Sequence, residues 1–210
     1  MKHVIIFLFL LASLVAPYQS VAQGSVAALD AKNGFKGYLF GSSLAQCRGL
    51  VYDGAMISKY DESFDRNLDW YLNLEDLKTY EPTDKSTAIG DLQISTPTYY
   101  FHNGRLMRID FSAESYQGKA LVQLYKSLYG NPKTTNSKTW LGSDIVISTW
   151  RGNKVNLIVT YCANPYQGND IKQVSPWYRI VYVSLPLLSQ MQSNKNKTKS
   201  QLSRVRANDL

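Results

Sequence analysis

Asn103-Gly104 is the dipeptide that most narrows what this chain can fold into. It stands between two strand-like runs, Leu92 to Phe101 and Leu106 to Phe111. Both of its residues tolerate positive φ, the condition for a tight two-residue hairpin turn. Met107, Ile109 and Phe111 alternate with Arg108 and Asp110, so the spacing predicts a hairpin with one buried face. A helical stripe comes directly after it. Leu121, Leu124, Tyr125 and Leu128 recur every three or four positions across Ser115 to Tyr129, Gly130 supplies a stop, and Pro132 bars continuation. A hairpin that runs into an amphipathic helix needs a sheet for that helix to lie on.

Further strands are expected over Lys138 to Leu141 with Ile145 to Arg151, over Lys154 to Cys162, and over Trp177 to Ser184. Gly142-Ser143 and Gly152-Asn153 give the first two connections tight-turn chemistry. Ala163 to Pro176 reads as a longer polar loop. Toward the N-terminus, Gln23 to Asn33 reads as a loose leader, and Gly34 to Gly41 as a short strand between glycines. Ser42 or Ser43 can cap a helix of one or two turns through Leu50, with Leu44, Cys47 and Val51 on its inner side. A terminal helix is expected over Leu187 to Gln192. The order predicts an α+β fold: an antiparallel sheet of about five to seven strands, a meander plus hairpins, with one main helix and one short helix on one face. Strands with aromatic side chains on both sides, such as Tyr99-Tyr100-Phe101 and Trp177 to Val183, mean a sheet covered on both faces or one with an apolar binding surface.

Met1 to Ala22 carries the pattern of a secretory signal peptide: Lys2 and His3, an apolar run from Val4 to Ala16, Pro17, then Ser20 and Ala22 before a cut at Gln23. The apolar run is 13 residues, short of the roughly 20 that a membrane-spanning helix needs. The remainder of the chain is long enough for one well-buried domain, 23–192, with a tail, 193–210. The expected location is therefore exported, periplasmic or secreted, with no transmembrane segment after cleavage.

Export changes how charge and cysteine are read. The formal charge is +7, but Lys195, Lys197, Lys199, Arg204 and Arg206 against Asp209 put most of it in the tail. That tail is rich in Asn, Ser and Gln, composed like a disordered basic end that touches anionic surfaces; nothing points to nucleic acid. Cys47 and Cys162 are the two cysteines. An oxidising compartment allows a disulfide, against which stands the alternation on 155–162 that points Cys162 away from the face of Val155, Leu157 and Val159.

Candidate chemistry is sparse. With His3 removed, His102 is the remaining histidine and sits at a hairpin turn, and no Gly-x-Ser-x-Gly elbow accompanies it. Two cysteines without histidines do not close a zinc site. The spacing Asp61, Asp65, Asp69 does not match a calcium loop, and no phosphate cradle follows Gly34, Gly37 and Gly41. No metal or cofactor is expected. The candidate ligand-binding cluster is Tyr60, Asp61, Asp65, Asp69, Trp70 and Tyr71, where acids stand beside aromatics able to stack on a sugar or a peptide. Paired carboxylates could also hydrolyse a glycosidic bond.

The run Leu29-Asp30-Ala31-Lys32-Asn33-Gly34-Phe35-Lys36-Gly37, then Phe40-Gly41, Leu128-Tyr129-Gly130 and Trp150 to Val155, resembles a family of small exported bacterial proteins of unknown function. The resemblance implies export and a common fold, and it brings no activity. The helix, Tyr-Gly-Asn-Pro and the following Trp strand are similar to the small outer-membrane assembly lipoproteins of the SmpA/OmlA type, whose lipidated cysteine this chain lacks. Together these features lead to the expectation of an exported, non-enzymatic binding or interaction module of the cell envelope, taking a protein, peptide or polysaccharide. The alternative is an envelope glycan hydrolase that uses the Asp61 to Asp69 cluster.

Overall fold

The computed structural model describes residues 24–53, 77–85, 87–138, 143–163, 166–167, 172–173 and 176–208. In chain order the elements are α1 (Val26–Lys32), β1 (Gly34–Phe35), β2 (Tyr38–Leu39), a 3-10 turn (Leu44–Gln46), β3 (Leu50–Tyr52), β4 (Leu77–Pro82), β5 (Ala88–Ile89), β6 (Leu92–Gln93), β7 (Thr98–His102), β8 (Arg105–Glu114), α2 (Ser115–Tyr129), β9 (Lys133–Lys138), β10 (Asp144–Arg151), β11 (Val155–Cys162), β12 (Tyr166–Gln167), β13 (Lys172–Gln173), β14 (Trp177–Ser184) and α3 (Leu185–Asn208). Eight strands form one antiparallel sheet in the order β3-β4-β7-β8-β14-β11-β10-β9. The fold is α+β, with more strands than the alternation in the sequence announces.

Asn103 and Gly104 turn the β7–β8 hairpin at φ 48° and 73°, the left-handed values that this pair accepts. The register slips by one residue between Tyr100 and Phe101. This bulge sends Met107 to the side of the sheet that holds Leu77, whereas Leu106, Ile109 and Phe111 stay on the other. Met107 therefore does not share a face with Ile109, as plain alternation would have it.

α1 and α2 lie over the first face. There Leu29, Leu121, Tyr125 and Tyr129 close on Ile109, Phe111, Trp150, Val155, Leu157, Ile180 and Tyr182 in one core. Trp150 Nε1 donates to Gly130 O at 2.7 Å, so the residue that ends α2 also accepts from the sheet. α1, where a loose leader was expected, is tied down by Asp30: its carboxylate accepts from Asn153 N, Lys154 N and Val155 N at 2.6, 2.8 and 3.0 Å. Gly152 beside it has no room for a Cβ, which would overlap the Asp30 carboxylate.

The second face is covered by α3. Leu188 packs on Ile158, Val181 and Val183, while Leu187 and Met191 reach Leu77 and Met107. Helices thus stand on both faces, where one was expected to carry them. The terminal helix expected over Leu187 to Gln192 spans Leu185–Asn208, running through residues whose composition suggests a tail. Cys47 belongs to the core of the first face and Cys162 alternates onto the second; the two buried thiols are not joined to each other. A strand without apolar alternation spans Lys133–Lys138, and residues 139–141 of the strand expected from Lys138 lie outside the described residues. Among the described residues no helix is long and apolar enough to cross a membrane.

Candidate functional site

Among the described residues the large sheet ends in two edge strands, β3 and β9; β9, Lys-Thr-Thr-Asn-Ser-Lys, is polar with a lysine at each end, whereas β3, Leu-Val-Tyr, is apolar. The chain reaches β3 through a capping box: Ser43 N and Oγ donate to Gln46 Oε1 at 2.8 and 3.1 Å, opening the short 3-10 turn. Gly49 comes next at φ 81°, a left-handed value that a side chain would strain. Its carbonyl accepts from Thr83 N at 2.8 Å, and Asp53 N donates to Thr79 O at 3.1 Å. Antiparallel strands alternate hydrogen-bonded and non-bonded pairs. Gly49 and Asp53 are bonded positions, so Leu50 and Tyr52, opposite Pro82 and Tyr80, direct their N–H and C=O groups outward. Among the described residues no strand lies on that side.

Side chains reinforce the point. Val51 is 49% exposed and Tyr52 58%. A ladder of rings leads from the core to the edge: buried Phe101 meets Tyr80 at 5.0 Å, and Tyr80 meets Tyr52 at 5.6 Å, both edge to face. The underlying Tyr38 stands edge-on to Tyr99 at 4.8 Å and donates its hydroxyl to Arg48 O at 2.9 Å. The edge therefore rests on an aromatic support and carries two residues of high strand preference, Val51 and Tyr52, beside uncharged Leu50. Nearby, burial pushes the Cys47 thiol up, away from the thiolate that a nucleophile needs.

The second face holds a buried charge cluster. Arg108 is 1% exposed and Asp110 6%. Arg108 Nε donates to Asp110 Oδ1 at 2.6 Å and its Nη2 to Oδ2, while Arg179 Nη2 donates to Oδ2 at 2.8 Å. The Arg108 guanidinium also lies over the Tyr100 ring, 4.7 Å from its centre. Burial alone pushes the Asp110 carboxyl up; the two guanidiniums, by charge and by hydrogen bonds, overcome this and hold it below the usual carboxylate range. An acid held ionised in this way cannot donate a proton near neutrality, so the cluster fixes structure and does not suit general acid catalysis. Asp30 is likewise committed: three backbone donors outweigh the effect of its burial and lower its carboxyl.

Of the residues singled out in the sequence, Tyr60, Asp61, Asp65, Asp69, Trp70 and Tyr71 lie outside the described residues, as does the signal-like segment Met1 to Ala22. His102 lies half-buried at the end of β7. Among the described residues no three His, Cys, Asp or Glu side chains gather as a metal site. Val51, expected on the inner side of a helix, stands outward on a strand. The signal for β3 was present as Leu-Val-Tyr between Gly49 and Asp53, with two strand formers after a turn residue. Comparison with known proteins finds no family model, no curated protein and no solved structure that the chain matches.

Proposed function

We propose that the protein is an exported, non-enzymatic binding module of the cell envelope that takes an extended polypeptide segment of a partner along β3. The observation that carries this is the outward backbone of Leu50 and Tyr52 beside exposed Val51 and Tyr52. Outward backbone groups without a strand partner among the described residues, on an apolar edge, suit strand addition, where main-chain bonds supply affinity and alternate side chains supply specificity. The export half of the proposal rests on the signal pattern of Met1 to Ala22.

Tyr52→Pro is the sharp test. It removes an outward N–H without touching the backbone bonds to β4. Because it also removes the Tyr52–Tyr80 ring contact, Tyr52→Ala, which loses the ring and keeps the N–H, is its control for stability. Strand addition should fail in the proline variant alone. A photo-crosslinking side chain at Val51 should give a discrete protein adduct in intact cells. One placed at Thr135 on β9 should give none, and Tyr52→Pro should abolish the Val51 adduct. Persistence of the adduct in Tyr52→Pro, or no adduct at all, overturns the edge as the site. Release of reducing ends from purified envelope glycan, lost in Asp65→Asn, overturns the non-enzymatic half.

A further inference from the structure

We propose that the C-terminal half of α3 docks on an anionic phospholipid bilayer, holding the domain at the membrane surface. The proposal rests on export of the chain and is independent of the β3 edge. α3 begins on the sheet: Leu185 N donates to Lys154 O at 2.8 Å, and Leu187, Leu188 and Met191 pack on the second face. The same helix then continues through Asn208, adding about 24 Å beyond Gln192 at about 1.5 Å per residue.

Along that half stand Lys195, Lys197, Lys199, Arg204 and Arg206, with no acidic residue between Ser193 and Asn208. Lys195 and Lys199 are four apart, a like-charge spacing that destabilises an isolated helix. Ser193, Asn194, Asn196, Thr198, Ser200 and Ser203 are weak helix formers. A helix of this composition gains most from a partner that neutralises its charge. At about 100° per residue, the positions of Lys195, Lys199 and Arg206 fall on one row. Those of Leu202 and Val205 lie beside that row, and those of Lys197 and Arg204 fall on the back. Cations bordering a narrow apolar strip match the headgroup boundary of a bilayer, where basic groups meet phosphate and the strip meets the acyl edge. A soluble polyanion would have no use for Leu202 and Val205.

The test uses the purified protein with vesicles of phosphatidylglycerol mixed with phosphatidylcholine, against phosphatidylcholine alone. Co-sedimentation with the anionic vesicles only, with release by salt, is the expected result. The triple variant Lys195→Glu, Lys199→Glu, Arg206→Glu should bind about a hundredfold more weakly, and Lys197→Glu alone should weaken binding far less. The thermal midpoint of the triple variant should match the unaltered protein, because these positions lie past the turns that pack on the sheet. Tyr52→Pro should bind vesicles normally, which separates this proposal from the edge. Equal binding to both vesicle types, undiminished binding by the triple variant, or capture by heparin without capture by phosphatidylglycerol vesicles would each overturn it.

Discussion

The two faces of one sheet are built on different principles, although the same strands serve both. On β14, Tyr178, Ile180 and Tyr182 enter the aromatic core under α1 and α2; Arg179, Val181 and Val183 face the other way. The first face is held by area removed from water, which is non-directional and tolerant of substitutions that conserve volume. The second combines a modest apolar contact with α3 and the Arg108–Asp110–Arg179 cluster, whose worth depends on geometry. The difference shows that a charged row survives burial here because β8 and β14 pair, placing Arg179 within reach of an aspartate far away in sequence. Perturbing one face at a time separates the two principles.

Removing Asp110 should have the largest effect. Asp110→Ala leaves two guanidiniums buried without their shared carboxylate and should cost about 3–5 kcal/mol in urea unfolding. Replacing all three residues together by Met, Leu and Met should cost far less, because no charge is left behind. If the triple variant is as unstable as Asp110→Ala, the second face is held by something other than charge compensation.

Acid sharpens the same contrast. Asp110 has a carboxyl lowered in the fold, so its contribution is fully present above the unfolded value of about 3.9 and is lost as pH falls through the lower folded value. Urea midpoints measured downward from about pH 4 should fall less steeply in Asp110→Ala than in the unaltered protein. Leu121→Ala, which empties space on the first face, should lower stability by about 2–5 kcal/mol at every pH and leave the slope intact. An unchanged slope in Asp110→Ala would mean that the carboxylate is not the group that couples this fold to acid.

A tight spot on the first face comes next. Gly118 of α2 lies against Tyr178, and a Cβ there would overlap the tyrosine ring. Gly118→Ala should therefore destabilise by about 1–3 kcal/mol, despite the better helix propensity of alanine. Gly118→Ala with Tyr178→Leu should recover part of the loss. Stabilisation by Gly118→Ala alone would show that the first face is looser than its geometry indicates.

Legibility in the sequence divides along similar lines. α2 spans Ser115–Tyr129 as its period and its Gly130 stop implied, although Leu128 of the expected stripe is exposed and Tyr129 takes the buried place, and the Asn103-Gly104 turn sits where the pair demanded, because both are local patterns. β9, Lys-Thr-Thr-Asn-Ser-Lys, is an exposed edge with no apolar alternation to announce it. α1 buries Leu29 alone of its residues, too little to mark a period. β3 is three residues long, below the length at which alternation means anything. Arg108 and Asp110 read as the polar side of a half-buried strand, since the partner that lets them be buried comes from β14. Local chemistry was legible, and pairing across the chain was not. The β3 edge proposed for binding was missed for that reason: its place at the end of the sheet depends on which strands lie beside it.

The smallest effect separates packing from polarity on the second face. Thr79, 1% exposed on β4 and opposite Tyr100, has a hydroxyl without a hydrogen-bond partner among the described residues. A buried hydroxyl that has left water without a new bond costs stability, while its shape fits the strand. Thr79→Val keeps the branched shape and the strand preference and removes the stranded oxygen, so it should stabilise by about 1 kcal/mol or less. A matching valine at Ser112, whose backbone N–H bonds Ser95 Oγ at 2.8 Å on an exposed stretch, should change little. A rise in the unfolding midpoint at Thr79 alone would place the weak point of this face beside its charge cluster. A fall would mean that the hydroxyl is bonded in solution, and that polar connections on the second face extend from Asp110 to the strand beside the β3 edge.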